Sequence, residues 1–449
     1  MAGSRLRRGE VLGYAVGSFG TGGFGTVPGL LLLFYLTDTV GVAAAVAGVI
    51  VFIPKLWDVV IDPFIGSASD RTMVGRGTRR PWLLLGGLTL PLFFLLTFAA
   101  PGGLRGLGAG VWVAAFFVLS VTAFSIFQVS YLAMPAEITD DYDERIDIMS
   151  WRIVFLTIAI LMFGVAAPIL VDAGGGGRTG YLVMGCVVGV LMGAAMVGAW
   201  YGTRTTRGHS VPEQGATLPE QIAALRENRD FATLLAAFVL QALATGTMLA
   251  GAVYVATYLL GDDALTSVLF ACLVGPAVLV MPIWRQVGRR LGKKPGFLAA
   301  TVVFIGAVAA LTFVRSYPPV AVYGVVALVG VAYAGMQMFP LSMLPDTLAA
   351  DAARSGRQRA GVFTGIWTAG ETTGFALGPA IVALVLAVTG FVSSTEGETA
   401  AQPDSALTGI AMAFSVVPAI LGVLSVPLVL RYALSSDRLA ALTTERLTP

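Results

Sequence analysis

The sequence predicts an all-α membrane protein with twelve transmembrane helices in two halves of six. Three observations predict it. The chain of 449 residues is 56% hydrophobic and only 12% charged, with a mean hydropathy of +0.83; a soluble domain carries about 25% charged residues. Twelve apolar stretches are long enough to cross a bilayer. The longest polar connection falls between the sixth and the seventh.

In order, the expected spans are 12–37, 42–66, 81–101, 110–135, 147–171, 180–202, 231–260, 265–287, 296–314, 319–344, 360–391 and 407–432. The N-terminus, MAGSRLRRGE, lacks a signal-peptide pattern, so the first span is expected to be retained. The 55 glycines and frequent alanines suit close helix packing. Of the 28 Lys and Arg, Lys55 and Arg152 fall well inside spans, Arg285 and Arg431 fall in the last turn of theirs, and only Arg105, Arg178 and Arg315 fall opposite the N-terminus. Basic loops stay cytoplasmic, so both termini are expected inside a plasma or inner membrane. Expected domains are 1–202, a linker 203–230 with a short surface helix over 218–230, and 231–449.

Composition also excludes. A net charge of +2 gives nucleic acid no basic surface to bind, and His209, the one histidine, lies in a polar loop. Cys186 and Cys272 lie far apart in apolar runs, which argues against a disulfide framework or a metal site. No Gly-x-x-x-x-Gly-Lys-Ser/Thr loop is present, so ATP is not the expected drive. The expected partners are the bilayer and a small solute, with no cofactor beyond a coupling ion and with the monomer as working unit.

The second span holds Lys55, Asp58 and Asp62 within FIPKLWDVVIDPFIG. Each ionisable group costs about 2.5–3.5 kcal/mol at mid-bilayer, so these three should face one another or a polar cavity. Asp58 and Asp62 are four apart and share a helix face, with Lys55 three residues before. Two neighbouring carboxylates do not both stay charged in low dielectric without a cation, which makes the pair a candidate Na⁺ or H⁺ site.

The halves read as weak repeats. GSASDRTMVGRGTRRPW after span 2 and WRQVGRRLGKKPG after span 8 are basic, glycine-containing loops in corresponding places. Paired halves are the mark of carriers with a central site. Span 8 has no acidic pair, so the ion site belongs to the first half.

On these residues the chain resembles the glycoside–pentoside–hexuronide cation symporters, the melibiose-permease branch of the major facilitator superfamily. The resemblance rests on FYLTDTVG at 34–41, WDVVIDP at 57–63, the loop Gly66 to Trp82, the stretch Ala133 to Arg152 and the stretch Ser342 to Trp367. It implies that Asp58 and Asp62 bind the coupling cation and that Arg152 lies near the sugar. Three positions depart from the family pattern. Its helix-1 aspartate would fall at Gly22, its helix-4 aspartate at Gln128, and its helix-11 lysine at Thr372, beside Glu371. The fold inference survives these departures; a melibiose-like substrate does not.

The remaining candidates follow from residue chemistry. Thr21 and Thr372 offer hydroxyls to a cation. Arg152, Gln128, Tyr131, Glu371, Trp367 and Gln337 are expected to line the solute cavity. Asp70, Arg71, Arg76, Arg79 and Arg80 are expected at a cytoplasmic gate, with Asp346, Arg357 and Arg359 as counterparts in the second half. The leading function is cation-coupled symport of a small, sugar-like solute. A carrier of an amphipathic solute, lysolipid or drug-like, is the alternative. A Mg²⁺-dependent membrane transferase using DDYDE (Asp140 to Glu144) is a remote third.

Overall fold

A computed structural model describes residues 6–139, 141–204, 223, 225–355, 360–395 and 400–434. Helices dominate them. In chain order they are α1 (Arg8–Val27), α2 (Ala44–Arg76), α3 (Arg80–Phe98), α4 (Leu107–Ile138), α5 (Tyr142–Ala173), α6 (Gly177–Gly202), α7 (Arg229–Tyr254), α8 (Leu265–Leu291), α9 (Lys293–Ala310), α10 (Pro319–Ser355), α11 (Ala360–Val388), α12 (Asp404–Phe414) and α13 (Val416–Arg431).

Eleven of these segments are long and apolar enough to span, α12 and α13 counting as one interrupted span. The first expected span is helical as well. It continues from α1 through wider turns at Pro28–Leu32 and Tyr35–Thr39. Glycines at 13, 17, 20, 22, 23 and 25 dilute its hydropathy. They also serve packing: a Cβ at Gly13 would sit 2.8 Å from the Gly202 Cα, so α1 and α6 touch backbone to backbone.

The chain forms two compact units, Met1–Glu213 with Leu386–Ala406, and Gln214–Val385 with Leu407–Pro449. In the first unit α1 packs on α5 and α6, α2 on α4, and α3 on α4 and α6. In the second, α7 packs on α13, α8 on α10, and α9 on α10 and α13. The α1–α5 contact is matched by α7 on α11, where a Cβ at Gly246 would lie 2.6 Å from the Phe375 carbonyl oxygen. The repeat that the sequence shows only faintly is therefore a repeat of helix pairings.

Residues 386–406 group with the first unit. Ser394 N donates to Thr37 O at 3.0 Å and Ser393 Oγ to Val42 O at 2.8 Å. Gly41 beside them has φ +73°, and a Cβ there would lie 2.6 Å from Thr395 Cγ2. Only glycine fits that turn without strain. Of the expected linker helix, 218–222 and 224 lie outside the described residues. Asn228, near its end, caps α7 by accepting from Phe231 N at 3.0 Å. Both cysteines are free, Cys186 being exposed on α6.

Candidate functional site

On α2, Ile53, Leu56, Trp57, Val60 and Phe64 form an exposed apolar stripe, with Phe64 66% exposed. At about 100° per residue, Lys55, Asp58 and Asp62 fall on the opposite face, and all three are half-buried. The acids therefore face protein, not acyl chains. α2 packs on α4, reached by Asp58 from that face and by Trp57 from the edge of the stripe. Trp57 Nε1 donates to Thr122 Oγ1 at 2.9 Å, and Ser125 Oγ donates to Asp58 Oδ1 at 2.5 Å. Asp62 Oδ1 is buried with no hydrogen-bond partner.

Pro63 adds a main-chain contribution. It has no N–H, so the carbonyl of Val59 loses its helical donor. That oxygen lies in the turn between Asp58 and Asp62. Two carboxylates, a serine hydroxyl and a freed carbonyl make an all-oxygen donor set that suits a hard monovalent cation or a proton. The Asp62 Oδ1, buried with no hydrogen-bond partner, is the oxygen of this set best placed to take a ligand.

Around Arg152 the picture differs from the sequence expectation. Its guanidinium lies 5.9 Å from the centre of the Tyr131 ring, and its Nε is buried without a partner. Among the described residues it pairs with no carboxylate, Asp147 included; the Glu137 side chain lies outside them. Tyr131 has no exposed surface. Its hydroxyl donates to Tyr14 O at 2.8 Å and meets Ser18 Oγ at 2.9 Å, while Tyr14 Oη returns a bond to Tyr131 O at 3.0 Å. The two rings stack at 4.3 Å. Tyr131 thus clasps α1 to α4 and supports Arg152, and it offers no surface to a solute.

Gly22 is a packing position as well. A Cβ there would meet Ala159 Cβ at 2.8 Å and Leu156 O at 3.2 Å, so α5 occupies the space a side chain would need. Thr21 is buried and donates to its own helix, at Ser18 O. Gln128 is half-buried, with Oε1 buried and unpartnered; it stays available for a polar ligand.

In the second unit, Trp367 is buried and stacks on Phe238 at 4.5 Å, with its Nε1 unpartnered. Gln337 Nε2 donates to Tyr333 Oη at 2.9 Å, leaving Gln337 Oε1 buried without a partner. Glu371 interacts with Tyr333 and is half-buried, and Thr372 is exposed next to it.

The residues expected at a gate pair locally. Asp70 forms an ion pair with Arg79, which also donates to Ser69 Oγ at 2.7 Å. Arg80 donates to Trp200 O at 3.0 Å and lies over the Trp200 ring. Asp346 pairs with Lys293 at 2.6 Å inside the second unit. Arg71 and Arg76 are exposed and line a cleft with Thr72 and Trp82. Arg357 and Arg359 lie outside the described residues. In DDYDE, Glu144 is a structural tie that accepts from Leu6 N at 2.9 Å and Thr139 Oγ1 at 2.6 Å.

A family model described as MFS/sugar transport protein matches residues 13–436. The chain belongs to this family. It is a multi-pass membrane transporter of the symporter type, not an enzyme. An uncharacterized symporter of Synechocystis sp. is 26% identical over 91% of this chain and 91% of its own length. A sodium-dependent lysophosphatidylcholine symporter of Mus musculus is 25% identical over 75% of this chain and 69% of its own. Among solved structures, the nucleoside transporter NupG superposes with a TM-score of 0.62 at 14% identity, covering 97% of this chain and 99% of that one. That last likeness carries the major facilitator fold alone.

Ser125, Thr122, Tyr14 and Tyr333 were not singled out by sequence reasoning. For the α4 pair a signal exists: Thr122, Ser125 and Gln128 recur every third residue in a largely apolar span.

Proposed function

We propose that this symporter couples the movement of a small polar solute, sugar or glycoside in class, to Na⁺ or H⁺ held by Asp58 and Asp62. One observation carries the reading. Two acids one turn apart inside a span face α4, and one of them keeps a buried oxygen without a partner. Lys55 on the same face limits the charge that the cation must offset. Cation and solute then stabilise the same state, and a gradient of one drives the other. Arg152 and Gln128 supply donors and acceptors toward the solute from the first unit. Both termini are placed on the cytoplasmic side of the inner membrane, with six spans either side of the 203–230 connection and a monomer as the working unit.

The test is uptake into proteoliposomes with Na⁺ and H⁺ gradients imposed separately, over a panel of sugars. Asp58→Asn and Asp62→Asn should each abolish gradient-driven accumulation while the protein still folds. Full accumulation by both variants overturns the assignment.

A second reading concerns the solute alone. Gly22 and Gln128 stand where the family grips sugar with carboxylates, and one relative is named for lysophosphatidylcholine. An amphipathic solute is therefore included in the panel. Saturable cation-dependent uptake of the lysolipid and of no sugar would select it.

A further inference from the structure

We propose that Glu371, with Tyr333 interacting with it and Gln337 bonded to Tyr333, is a proton-binding site of the second unit, separate from the aspartate pair. This goes beyond the coupling reading and does not depend on it.

Glu371 sits inside the Gly361–Val388 span. A charged carboxylate there costs several kcal/mol unless something neutralises it. The first unit supplies its own balance, Lys55 and Arg152 against Asp58 and Asp62. The second has Arg285 on α8 and Arg431 at the end of α13 within its spans, but residues 231–260 of the α7 segment, 319–344 of α10 and 360–391 of α11 contain no Lys, Arg or His. Among the described residues Glu371 makes no ion pair, and α7 and α10 bring no other acid to it within those ranges. Tyr333 is the titratable side chain on a neighbouring helix that interacts with it.

The surrounding polar atoms suit a proton better than a metal ion. Gln337 Nε2 donates to Tyr333 Oη, so the tyrosine proton is left to point elsewhere. A protonated carboxyl both donates and accepts, which matches a phenol and an amide. Gln337 Oε1 is a buried acceptor with no donor, the partner that a carboxylic O–H requires. A bare Na⁺ would need more oxygens than the carboxylate, the phenol and the one free amide oxygen that Glu371, Tyr333 and Gln337 supply. Thr364, Gly365, Thr368, Ala369 and Thr372 are exposed along one side of α11. Their small and hydroxyl side chains suit water better than the apolar stripe of α2 does.

The test is infrared difference spectroscopy of the purified full chain in bilayers during a pH titration, reading the carbonyl stretch of protonated carboxyl groups. The wild type should show a titrating band that Glu371→Gln removes and that Asp58→Asn/Asp62→Asn leaves in place. Tyr333→Phe should shift its midpoint, which keeps the test sharp if Glu371→Gln folds poorly. A Glu371→Gln spectrum that superimposes on wild type, or a band removed only by the aspartate variants, overturns the proposal. The second of these outcomes leaves the aspartate reading standing.

Discussion

Ser125 on α4 donates to Asp58 Oδ1 at 2.5 Å, and one turn along α2 the Asp62 Oδ1 is buried with no donor at all. The two acids are therefore not equivalent. Asp58 is oriented by a neighbouring helix, and Asp62, which Ser125 also reaches, keeps the lone pairs of Oδ1 for a ligand.

Ser125→Ala should then weaken the cation and spare the turnover. Without its donor, Asp58 is free to swing away from Asp62. A hydrogen bond of this kind is worth about 1 kcal/mol net, or roughly fivefold. The cation concentration giving half-maximal uptake should rise by about that factor at an unchanged maximal rate, and Ser125→Thr should restore it. An unchanged cation dependence in Ser125→Ala would reduce the contact to packing.

Gly22 offers a test of packing against chemistry. Gly22→Ala places a Cβ 2.8 Å from Ala159 Cβ, whereas at Gly25 nothing lies within 4 Å. Overpacking of this kind costs about 1–3 kcal/mol. Thermal unfolding in detergent should show Gly22→Ala melting several degrees lower and Gly25→Ala near wild type. Gly22→Asp, which restores the family acid, should be destabilised and gain no sugar binding. A stable Gly22→Asp that binds sugar would move α5 off this position.

The spans, the paired halves and the acidic turn of α2 were legible because hydropathy and helical spacing are local. What the sequence hid was the identity of neighbours. Tyr131 reads as an aromatic available to a sugar, yet its ring is enclosed by Tyr14 and Phe127. The basic residues after α2 read as a gate between halves, yet Arg79 turns back ten residues to Ser69. Side-chain direction depends on which helix lies across, and no periodicity within one helix carries that.

Tyr131→Phe separates clasp from cavity. It removes the hydroxyl that donates to Tyr14 O and meets Ser18 Oγ, and leaves both in a buried place. An unsatisfied buried group costs about 1–3 kcal/mol. The expected outcome is a lower melting temperature with the solute KM unchanged. A raised KM at unchanged stability would return Tyr131 to the solute site.

Arg79 is 5% exposed, while its partner Asp70 is 39% exposed. The pair is thus asymmetric. Asp70→Asn takes a carboxylate from a buried guanidinium that still holds Ser69 Oγ, whereas Arg79→Gln removes the buried charge and leaves Asp70 to water. Removing the counter-charge of a buried group costs more than removing the buried group's own charge. Asp70→Asn should therefore lower stability more than Arg79→Gln, read as the shift in melting temperature. The reverse order would mean that the Arg79 packing, not its charge, holds the loop.

Tyr432 follows the last turn of α13, outside the spans, and its hydroxyl is buried without a partner. Burial, and then the charges of Asp346 and Asp230, raise its pKa above the ordinary 10.0. The folded value exceeds the unfolded one, so the neutral phenol's contribution is fully present below pH 10 and is lost progressively as pH climbs from there through the raised folded value. Tyr432→Phe removes both the orphan hydroxyl and the titration. At neutral pH the variant should be equal to or slightly more stable than wild type, by up to about 1 kcal/mol, since no hydrogen bond is lost. Above pH 10 its advantage should widen, because only the wild type then carries the cost of keeping a buried phenol un-ionised. The main-chain ties of Lys294 Nζ to Leu430 O and Tyr432 O, at 2.8 and 2.7 Å, are untouched by the change. Melting curves of both proteins from pH 7 to 11 decide it: curves that stay parallel through pH 10 would show that the phenol ionises as freely in the fold as in the unfolded chain.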